Sequence, residues 1–301
     1  MKLSILGCYS ATPRIIAHTT SQVLETRGHL FLIDCGEGTQ VELRRHKIKF
    51  NQIKHIFISH LHGDHYFGLV GLISTFRLLT RETDLHIYGP KGLKELITLQ
   101  MKLADSWTNF KLTFHELSSK ESELIYEDDK VSVHTIPLDH RIYTNGFLFS
   151  EKPFERKLDL QKAEALHIDK AYFRKLKQGD DVVNEKGVHI SNKEVTFEGH
   201  RPKRYAFCSD TAFKADIIPI IKGVDMLYHE STFLDAHEQL CAKTKHSTAK
   251  QAATIALKAN VKQLILGHYS TRYGSLEGFK SEAETVFKPV LLADDGKVVH
   301  F

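Results

Sequence analysis

The chain has 301 residues, 42% of them hydrophobic, which is enough to bury the core of one large domain or two small ones. Its 41 Lys and Arg against 37 Asp and Glu give a net charge of +4, which permits a nucleic-acid partner without arguing for one. No run approaches the roughly 20 apolar residues of a membrane helix, and the N-terminal apolar stretch is too short for a signal peptide. The 4 cysteines form no C-x-x-C pair, which indicates reduced, buried thiols of a cytoplasmic protein.

Predicted strands and helices alternate through the first half of the chain. Strands rich in β-branched and aromatic residues are predicted at 2–6, 21–26, 30–33, 56–58, 85–88, 111–116, 131–137 and 146–150. Helices are predicted at 41–49, 66–79 and 93–103. The basic residues of the helix at 41–49 are typical of a solvated face, with an RNA contact as the alternative.

A glycine-rich loop, Asp-Cys-Gly-Glu-Gly-Thr-Gln, occupies residues 34–40. Gly36 and Gly38 allow a tight turn close to other backbone. Asp34 stands at the end of a predicted strand. Two roles for it are equally compatible with the sequence: support of a ligand histidine, or capping of the following helix.

The motif His-Leu-His-Gly-Asp-His, at residues 60–65, follows the apolar strand at 56–58. Residues two apart in an extended chain face the same side, so His60 and His62 can bind one metal ion. After a turn at Gly63, Asp64 and His65 are placed to bind a second. A surface histidine cluster is the plainer alternative, and this spacing disfavours it.

Several other apolar runs also end in metal-ligand residue types. These residues are His140, Asp210, His229, Glu230 and His268. Because ligand sites in open α/β sheets lie at the carboxyl ends of the strands, the pattern predicts that these side chains meet at one sheet edge. Nitrogen and carboxylate ligands without thiolates favour Zn²⁺ first and Mn²⁺ second.

The pattern changes at residues 151–187, where charges of both signs replace strong strand signals. We interpret this segment as an excursion from the main domain. Within it, Tyr172 and Phe173 precede three basic residues, Arg174, Lys175 and Lys177. Such aromatics either stack on bases beside the phosphate backbone or pack onto the core, and the sequence leaves both open.

The alternating pattern resumes after residue 204. Helices are predicted at 215–221 and 247–260, and strands at 225–229, 263–266 and 290–292. The second helix begins at Ser247 and Thr248, and its free N–H groups suit a phosphate. His246 stands immediately before it.

Taken in order, these motifs resemble the ribonuclease Z family of the metallo-β-lactamase superfamily. The motif at 60–65 is the superfamily signature, and four further motifs, at 34–40, 229–232, 246–248 and 267–273, narrow the resemblance to the family. Two stretches depart from the family pattern. Ala17-His18 stands where the family usually has Arg-Asn, and residues 168–173 lack its Gly-Pro motif.

The resemblance implies an α/β fold, a four-layer αββα sandwich that forms a single catalytic domain over residues 1–301. The segment at 151–187 would be an inserted, protruding arm that binds tRNA. Two zinc ions per subunit would be bound, one by His60, His62 and His140 and the other by Asp64, His65 and His268, with Asp210 bridging them. A cytoplasmic homodimer is expected.

The resemblance also implies a zinc-dependent endoribonuclease that removes the 3′ trailer from precursor tRNA and leaves a 3′-hydroxyl on the tRNA. Asp64 is the family's proton acceptor. We interpret His246 as the general acid that protonates the leaving oxygen, and Glu230 as the carboxylate that orients it. Substrate contacts are predicted for six side chains: Ser247, Thr248, Arg272, Arg174, Lys175 and Lys177.

Two other functions are compatible with the same residues. One is a dinuclear-zinc phosphodiesterase of this fold that acts on cyclic nucleotides or small phosphodiesters, which would need no arm. The other is a metal-bound nucleic-acid adaptor without catalysis, which would not need a complete ligand set. The excursion and the full set of ligand types favour the nuclease.

Overall fold

The computed structural model describes residues 1–12, 14–15 and 17–301. Its strands are, in chain order, β1 (Lys2–Gly7), β2 (Ser21–Thr26), β3 (His29–Ile33), β4 (Ile53–Phe57), β5 (Leu85–Pro90), β6 (Leu112–Leu117), β7 (Leu124–Glu127), β8 (Val131–Pro137), β9 (Asn145–Glu151), β10 (Lys157–Leu158), β11 (Val182–Val183), β12 (His189–Ile190), β13 (Thr196–Phe197), β14 (Arg204–Cys208), β15 (Met226–Glu230), β16 (Leu264–Gly267), β17 (Val290–Leu292) and β18 (Val298–His300).

The α-helices are α1 (Thr39–Arg45), α2 (Gly63–Tyr66), α3 (Leu69–Leu78), α4 (Leu93–Leu103), α5 (Leu160–Ala165), α6 (Phe173–Gln178), α7 (Asn192–Val195), α8 (Glu238–Thr244), α9 (Ala249–Lys258) and α10 (Glu277–Glu284). Short 3₁₀ turns lie at Phe50–Gln52, Lys170–Tyr172, Ala215–Ile217 and Asp235–His237. None of the described helices has the length and apolar character needed to cross a membrane.

The first large sheet has the strand order β18-β1-β2-β3-β4-β5-β6. Strands β1 to β3 pair antiparallel, whereas β3 to β6 pair parallel. The hairpin between β2 and β3 turns at Arg27 and Gly28, whose φ angles of 50° and 86° are both positive, as the tightest hairpin turns require. This hairpin was predicted and is confirmed.

The second large sheet has the strand order β17-β16-β15-β14-β9-β8-β7. Its strands β14 to β17 run parallel, and β9 runs antiparallel to β14. The carboxyl ends of β14, β15 and β16 therefore meet at one edge of the sheet. Two predicted metal ligands lie at this edge: Asp210 follows β14 and His268 follows β16.

The two sheets pack face to face through side chains that alternate along each strand. Phe57 of β4 lies against Phe147 and Phe149 of β9, with ring centroids 5.4 and 5.3 Å apart. Its neighbour Ile56 faces the other way, into a core shared with α1, α3 and α4. Helices α9 and α10 pack on β15, β16 and β17 of the second sheet and supply buried residues to the other large core cluster. The layers therefore run αββα, and the predicted fold class is confirmed.

Residues Glu151–Pro202 form a second compact unit. Two short ribbons, β10–β13 and β11–β12, surround a small apolar core of Ala163, Ile168, Leu176, Val182, Ile190 and Val195. The predicted excursion at 151–187 lies inside this unit. Its role as a tRNA-binding arm stays a prediction.

Three predicted elements differ in the structure. The helix predicted at 215–221 is a single 3₁₀ turn, Ala215–Ile217, followed by turns. The helix at 41–49 ends early, and Lys47 has a φ of 56°. The helix at 66–79 is divided at Gly68, where a Cβ atom would lie 2.1 Å from the Gly36 carbonyl oxygen. That close approach joins the glycine-rich loop to the turn that carries the motif at 60–65.

A row of histidines crosses the first sheet from β4 to β6. The His55 ring stacks on His86 at 5.2 Å, and His86 stacks on His115 at 5.3 Å. Tyr126 of β7 lies 4.5 Å from the His55 ring. Burial lowers the pKa of His55 to about 4, and the neighbouring histidines act in the same direction, against the opposing carboxylate of Asp128.

The row makes the fold sensitive to acid through His55. An unfolded histidine has a pKa of about 6.5, so between that pH and about 4 the unfolded chain binds more protons at this residue than the folded chain. The stability that the neutral His55 contributes is present above pH 6.5 and is lost as the pH falls toward 4. The titratable groups that face His55 are His29, His86, His115 and Asp128.

We expect His55→Phe to flatten the acid dependence of stability. Thermal unfolding followed at several pH values between 7 and 4 should show a smaller drop in midpoint for this variant than for the wild type, because the folded state no longer excludes that proton. His300→Phe, at an exposed strand end, is the matched control. Loss of metal in acid affects the wild type, His55→Phe and His300→Phe equally. Identical pH dependence of the unfolding midpoint in all three proteins would therefore contradict the role of His55.

Candidate metal centre

The motif at 60–65 connects β4 to α2 at the carboxyl edge of the first sheet. His60 and His62 precede the helix, and Asp64 and His65 lie in its single turn. The second sheet contributes residues from the ends of its strands. Asp210, which follows β14, and His268, which follows β16, both have a φ of 58°. This left-handed backbone is costly for non-glycine residues and is typical of functional sites.

A first set of four ligand atoms converges around His62. Its Nδ1 lies 3.0 Å from His60 Nε2 and 3.1 Å from His140 Nε2. Asp210 Oδ2 lies 3.6 Å from His60 Nε2 and 3.7 Å from His140 Nε2. All four atoms lie within 4.8 Å of one another, as ligands of one ion must.

A second set lies beside the first and shares Asp210. Its other oxygen, Oδ1, lies 3.1 Å from both His65 Nε2 and His268 Nε2. Asp64 Oδ2 lies 3.4 Å from His65 Nε2 and 3.5 Å from His268 Nε2. One carboxylate thus presents an oxygen to each set, which is the arrangement predicted for a bridging ligand.

The chemistry of these atoms fits a metal ion. His65 Nε2 and His268 Nε2 are buried and make no hydrogen bond within the described chain, even though a carboxylate oxygen is near. Burial holds the pKa of His60 well below its usual range, and burial also lowers the pKa of His62 and His140. These imidazoles are therefore neutral, and each has a lone pair to donate.

The carboxylate at the centre is anionic. Burial opposes its ionisation, but the imidazoles of His268 and His65 hold the pKa of Asp210 well below its ordinary value. The histidines and aspartates together supply nitrogen and oxygen donors without sulfur. The residues present thus fit a metal such as zinc or manganese.

His65, His140 and His268 are each held by a hydrogen bond at the second ring nitrogen. His65 Nδ1 lies 2.7 Å from Asp34 Oδ2, and His268 Nδ1 lies 2.9 Å from Thr232 Oγ1. His140 Nδ1 donates to the Lys245 carbonyl oxygen at 2.9 Å. Such partners fix which nitrogen faces a metal.

Asp34 takes the first of its two predicted roles. Its side chain is fully buried and accepts hydrogen bonds from the backbone N–H and hydroxyl of Ser59, at 2.7 and 2.9 Å. The helix that follows is preceded by Gly38, so Asp34 does not cap it. The other supporting residues, Thr232 and Lys245, were missed because an ordinary threonine and a backbone carbonyl carry no sequence signal.

His246 lies next to both ligand sets and is paired with Glu230. Its Nδ1 is 2.8 Å from Glu230 Oε1. Glu230 is fully buried and also accepts bonds from the backbone N–H groups of Thr211 and Thr232, each at 3.0 Å. Although burial acts in the other direction, this carboxylate raises the pKa of His246 to about 9.

A pocket of about 340 Å³ opens over the metal centre. Its lining includes Asp64, Asp210, His246 and His268. Both ligand sets and the His246–Glu230 pair therefore face the same pocket. Phe67, which is 56% exposed, and Arg141 lie at its wall. A phosphate group in this pocket would meet ligand atoms, a proton donor and a cation together.

The structure corrects two of the predicted substrate contacts, Ser247 and Thr248. Ser247 and Thr248 are fully buried. The Ser247 hydroxyl donates to the Thr211 carbonyl oxygen at 2.7 Å, and the Thr248 hydroxyl caps α9 by accepting from Gln251. Neither hydroxyl is free for a substrate. The Arg272 guanidinium lies over the Phe233 ring at 5.2 Å and does not line the pocket, and its contact with substrate stays a prediction.

The connection between β1 and β2 is anchored at His18, one of the two residues that depart from the family pattern. The Asp295 carboxylate accepts from the His18 backbone N–H at 2.6 Å and lies 3.0 Å from its Nδ1. The neighbouring Ala11 backbone N–H donates to Asp64 Oδ2 at 2.8 Å. This connection therefore contacts the predicted ligand Asp64 directly. The contact is made by the Ala11 backbone N–H, so no side-chain motif predicts it.

In the unit Glu151–Pro202, the side chains of Phe173 and Tyr172 differ in their surroundings. Phe173 is partly buried against the small core of the unit, which matches the packing alternative. Tyr172 is 37% exposed, and the Lys175 ammonium lies 5.8 Å from the centre of its ring. Arg174 and Lys177 are also exposed.

The fold and the site define a class, the metallo-β-lactamase-fold hydrolases with a histidine and aspartate metal centre. A family model described as the anti-Pycsar protein Apyc1 matches residues 1–169. The chain is also similar along nearly its whole length to ribonuclease Z of Bacteroides fragilis, with 44% identity over 294 residues, 98% of this chain and 97% of that protein.

Two further comparisons agree. Ribonuclease Z of Cytophaga hutchinsonii is 46% identical over 296 residues, 98% of this chain and 94% of that protein. The crystal structure of the short form of human tRNase Z superposes with a TM-score of 0.72 at 27% identity, covering 100% of this chain and 99% of that one. The chain belongs to the ribonuclease Z family, and the predicted enzyme class, a metal-dependent endoribonuclease, is confirmed.

Proposed function

We propose that this protein is a zinc-dependent endoribonuclease that removes the 3′ trailer from precursor tRNA and leaves a 3′-hydroxyl on the tRNA. The main support is geometric: two ligand sets share Asp210, and the His246–Glu230 pair faces the same pocket. The relatives named ribonuclease Z, which match over nearly the full length, identify the substrate class.

Two metal ions per chain are part of the proposal, with zinc preferred and manganese second because the donors are imidazole and carboxylate. The first set is His60, His62, His140 and one oxygen of Asp210. The second is Asp64, His65, His268 and the other oxygen. When bound, such a pair lowers the pKa of a water molecule and neutralises charge on a phosphate.

The side chains around the pocket handle the protons. As the water oxygen forms its bond to phosphorus, Asp64 accepts the proton that the water loses. The bond from phosphorus to the tRNA O3′ oxygen breaks on the opposite side, and His246 donates the proton which that oxygen needs. Glu230 receives His246 Nδ1–H, so the Nε2–H of His246 is the one left for the substrate.

The alternative on the same fold is a phosphodiesterase for cyclic nucleotides or small phosphodiesters. It would use the same ligand sets, and the match of the first 169 residues to the Apyc1 family model does not separate the two functions. The 97% and 94% coverage of the two ribonuclease Z relatives favours the endoribonuclease. The second compact unit favours it too, because a small substrate does not require one.

The unit Glu151–Pro202 is proposed to bind the body of the tRNA. Arg174, Lys175 and Lys177 present three exposed cations on α6, and Tyr172 is exposed beside them. Together they offer charge for the phosphate backbone and one ring for stacking. A homodimer, in which the unit of one subunit serves the site of the other, is part of the same proposal.

The proposed location is the cytoplasm, as expected for an enzyme that processes precursor tRNA. All four cysteines are buried and free. Unpaired thiols are typical of reducing compartments.

The proposal is tested by metal content and cleavage measured on one preparation. We expect about two zinc ions per chain, lost together with cleavage of a 3′-extended pre-tRNA after chelation and regained with zinc. Asp210→Ala should lose both ions because it removes an oxygen from each set, whereas Asp84→Ala, at an exposed loop, should lose none. Full activity with one zinc ion or none per chain would refute the dinuclear site. Failure of the metal-loaded protein to cleave pre-tRNA would refute the proposed substrate.

The general acid is tested with His246→Ala. We expect pre-tRNA turnover to fall by about 10²–10⁴-fold with metal content unchanged, because general acid catalysis has that magnitude. A nitrophenyl phosphodiester has a good leaving group that needs little protonation, so its hydrolysis should fall much less. His237→Ala, whose ring contacts Tyr273 rather than a ligand, is the control. Equal losses on both substrates would exclude the acid role.

The tRNA-binding unit is tested by charge reversal of Arg174, Lys175 and Lys177 to Glu. Pre-tRNA affinity should fall and its salt dependence should flatten, because fewer counterions are released on binding. Hydrolysis of a nitrophenyl phosphodiester and metal content should stay unchanged, because none of the three lines the metal pocket.

The matched control carries the same change in charge at Lys54, Lys222 and Lys258, which are exposed on the sandwich. Replacement of Glu151–Pro202 by a short Gly/Ser linker should act like the reversal, only more strongly. Unchanged pre-tRNA binding by a folded, metal-loaded deletion protein would show that the unit has no such role.

A further inference from the structure

The His18 ring lies between two carboxylates that come from distant parts of the chain. Its Nδ1 is 3.0 Å from Asp295 Oδ2, in the turn between β17 and β18, and its Nε2 is 3.4 Å from Glu42 Oε1, in α1. The Glu42 side chain is only 2% exposed. The connection between β1 and β2, which contains His18, is therefore held from two sides by elements of the sandwich.

The backbone of His18 holds the earlier half of the same connection. Its carbonyl oxygen accepts a hydrogen bond from the Cys8 N–H at 3.1 Å. The Cys8 carbonyl oxygen accepts from the Tyr269 N–H at 3.3 Å, and the Tyr269 carbonyl oxygen accepts from the Ser10 N–H at 3.1 Å. Tyr269 directly follows the predicted ligand His268. Residues 8–10 thus join His18 to the strand end that carries this ligand.

The next residue, Ala11, contacts a ligand of the same set. Its backbone N–H donates to Asp64 Oδ2 at 2.8 Å, and its φ angle is 53°. This left-handed conformation is unfavourable for alanine, so the contacts around it must hold it in place. Among the described residues, the connection makes no hydrogen bond to the three histidines of the first set. Its contacts are confined to the second set.

His18 and Thr19 also pack on the glycine-rich loop next to Asp64. A Cβ atom on Gly38 would lie 2.8 Å from His18 Cδ2. A Cβ atom on Gly36 would lie 2.2 Å from Thr19 Oγ1 and 2.6 Å from the Asp64 carbonyl oxygen. The loop therefore fills a narrow space between the connection and the backbone of the ligand. Because closely packed groups transmit strain, a shift of His18 would displace Asp64.

We propose that His18 is a positioning residue for the second ligand set. It keeps the Ala11 N–H on Asp64, and it holds the neighbour of His268 in place. In this way it determines how tightly the second set binds its metal ion. The inference rests on the proposed function, because it concerns one of the two ions of that metal centre. His18 does not line the pocket over the centre, so it acts only through the residues that it holds.

The test is His18→Ala in the zinc-loaded protein, with zinc content followed as a chelator is added in steps. We expect one ion to bind about tenfold more weakly, at the low end of the effect of residues that support ligands, because His18 acts indirectly. The variant should then hold one ion at chelator concentrations where the wild type holds two. Turnover of pre-tRNA should fall with KM unchanged, and excess zinc should restore it.

Two further backgrounds identify the affected ion. His140→Ala disrupts the first set, and in this background His18→Ala should still weaken the remaining ion about tenfold. His268→Ala disrupts the second set, and in that background His18→Ala should leave the affinity of the remaining ion unchanged. The reverse pattern would overturn the proposal, because it would assign the effect to the first set.

A conservative variant and a matched control separate positioning from general stability. In His18→Asn the amide can donate to Asp295 but is too short to reach Glu42 as well, so part of the lost zinc affinity should return. Arg45→Ala removes the contact of Arg45 Nη1 with Glu42 Oε1, at 2.6 Å, and leaves the connection between β1 and β2 intact. This control should hold both ions as tightly as the wild type.

Two results with His18→Ala would overturn the proposal. One is wild-type zinc affinity at both ions. The other is equal weakening of both ions together with a lower unfolding temperature, which would show a purely structural role. A wild-type protein that binds fewer than two zinc ions is a distinct result: it would refute the dinuclear centre of the proposed function, and this inference would fail with it.

Discussion

The arrangement of the site depends on the carboxylate of Asp210. Its two oxygens lie 3.1 Å from the nitrogens of one ligand set and 3.6–3.7 Å from those of the other. A buried carboxylate is unfavourable unless its surroundings compensate the charge, and the imidazoles of His268 and His65 keep the pKa of Asp210 well below its ordinary value. The same residue has a left-handed backbone with a φ of 58°, between β14 on one side and the buried Thr211 on the other.

Placing that carboxylate requires both sheets. Asp210 belongs to the second sheet, and the histidines of the motif at 60–65 belong to the first, so the two sets of ligands form only when the sheets pack face to face. Phe57, three residues before His60, packs against two phenylalanines of β9, and it therefore links the core to the position of the motif. A change that loosens this aromatic contact would move one half of the ligand set relative to the other.

Much of this could be predicted from the sequence because the signals are local. Strands of four to seven apolar residues, the turn at Arg27-Gly28 and the ligand types at strand ends can all be identified within short windows. What failed depends on contacts distant in sequence. The division of the helix at Gly68 follows from the Gly36 carbonyl oxygen, and β18 forms only because β1, nearly 300 residues away in sequence, offers it a free edge. The support of His268 by Thr232 is likewise a contact between two strand ends, with no pattern in the chain to announce it.

The prediction that Ser247 and Thr248 bind substrate illustrates the same limit at a single helix start. Serine and threonine at the beginning of a helix indicate either an anion site or a cap, and the sequence does not separate the two. The capping box between Thr248 and Gln251 consumes both side chains, and the Ser247 hydroxyl is turned toward the Thr211 carbonyl oxygen. These bonds have a different consequence for the site. They fix the start of α9, and with it the backbone of His246, against the strand end that carries Asp210. The only side chain of this stretch that reaches the pocket is then the imidazole, and the Glu230 carboxylate determines which of its nitrogens faces the substrate.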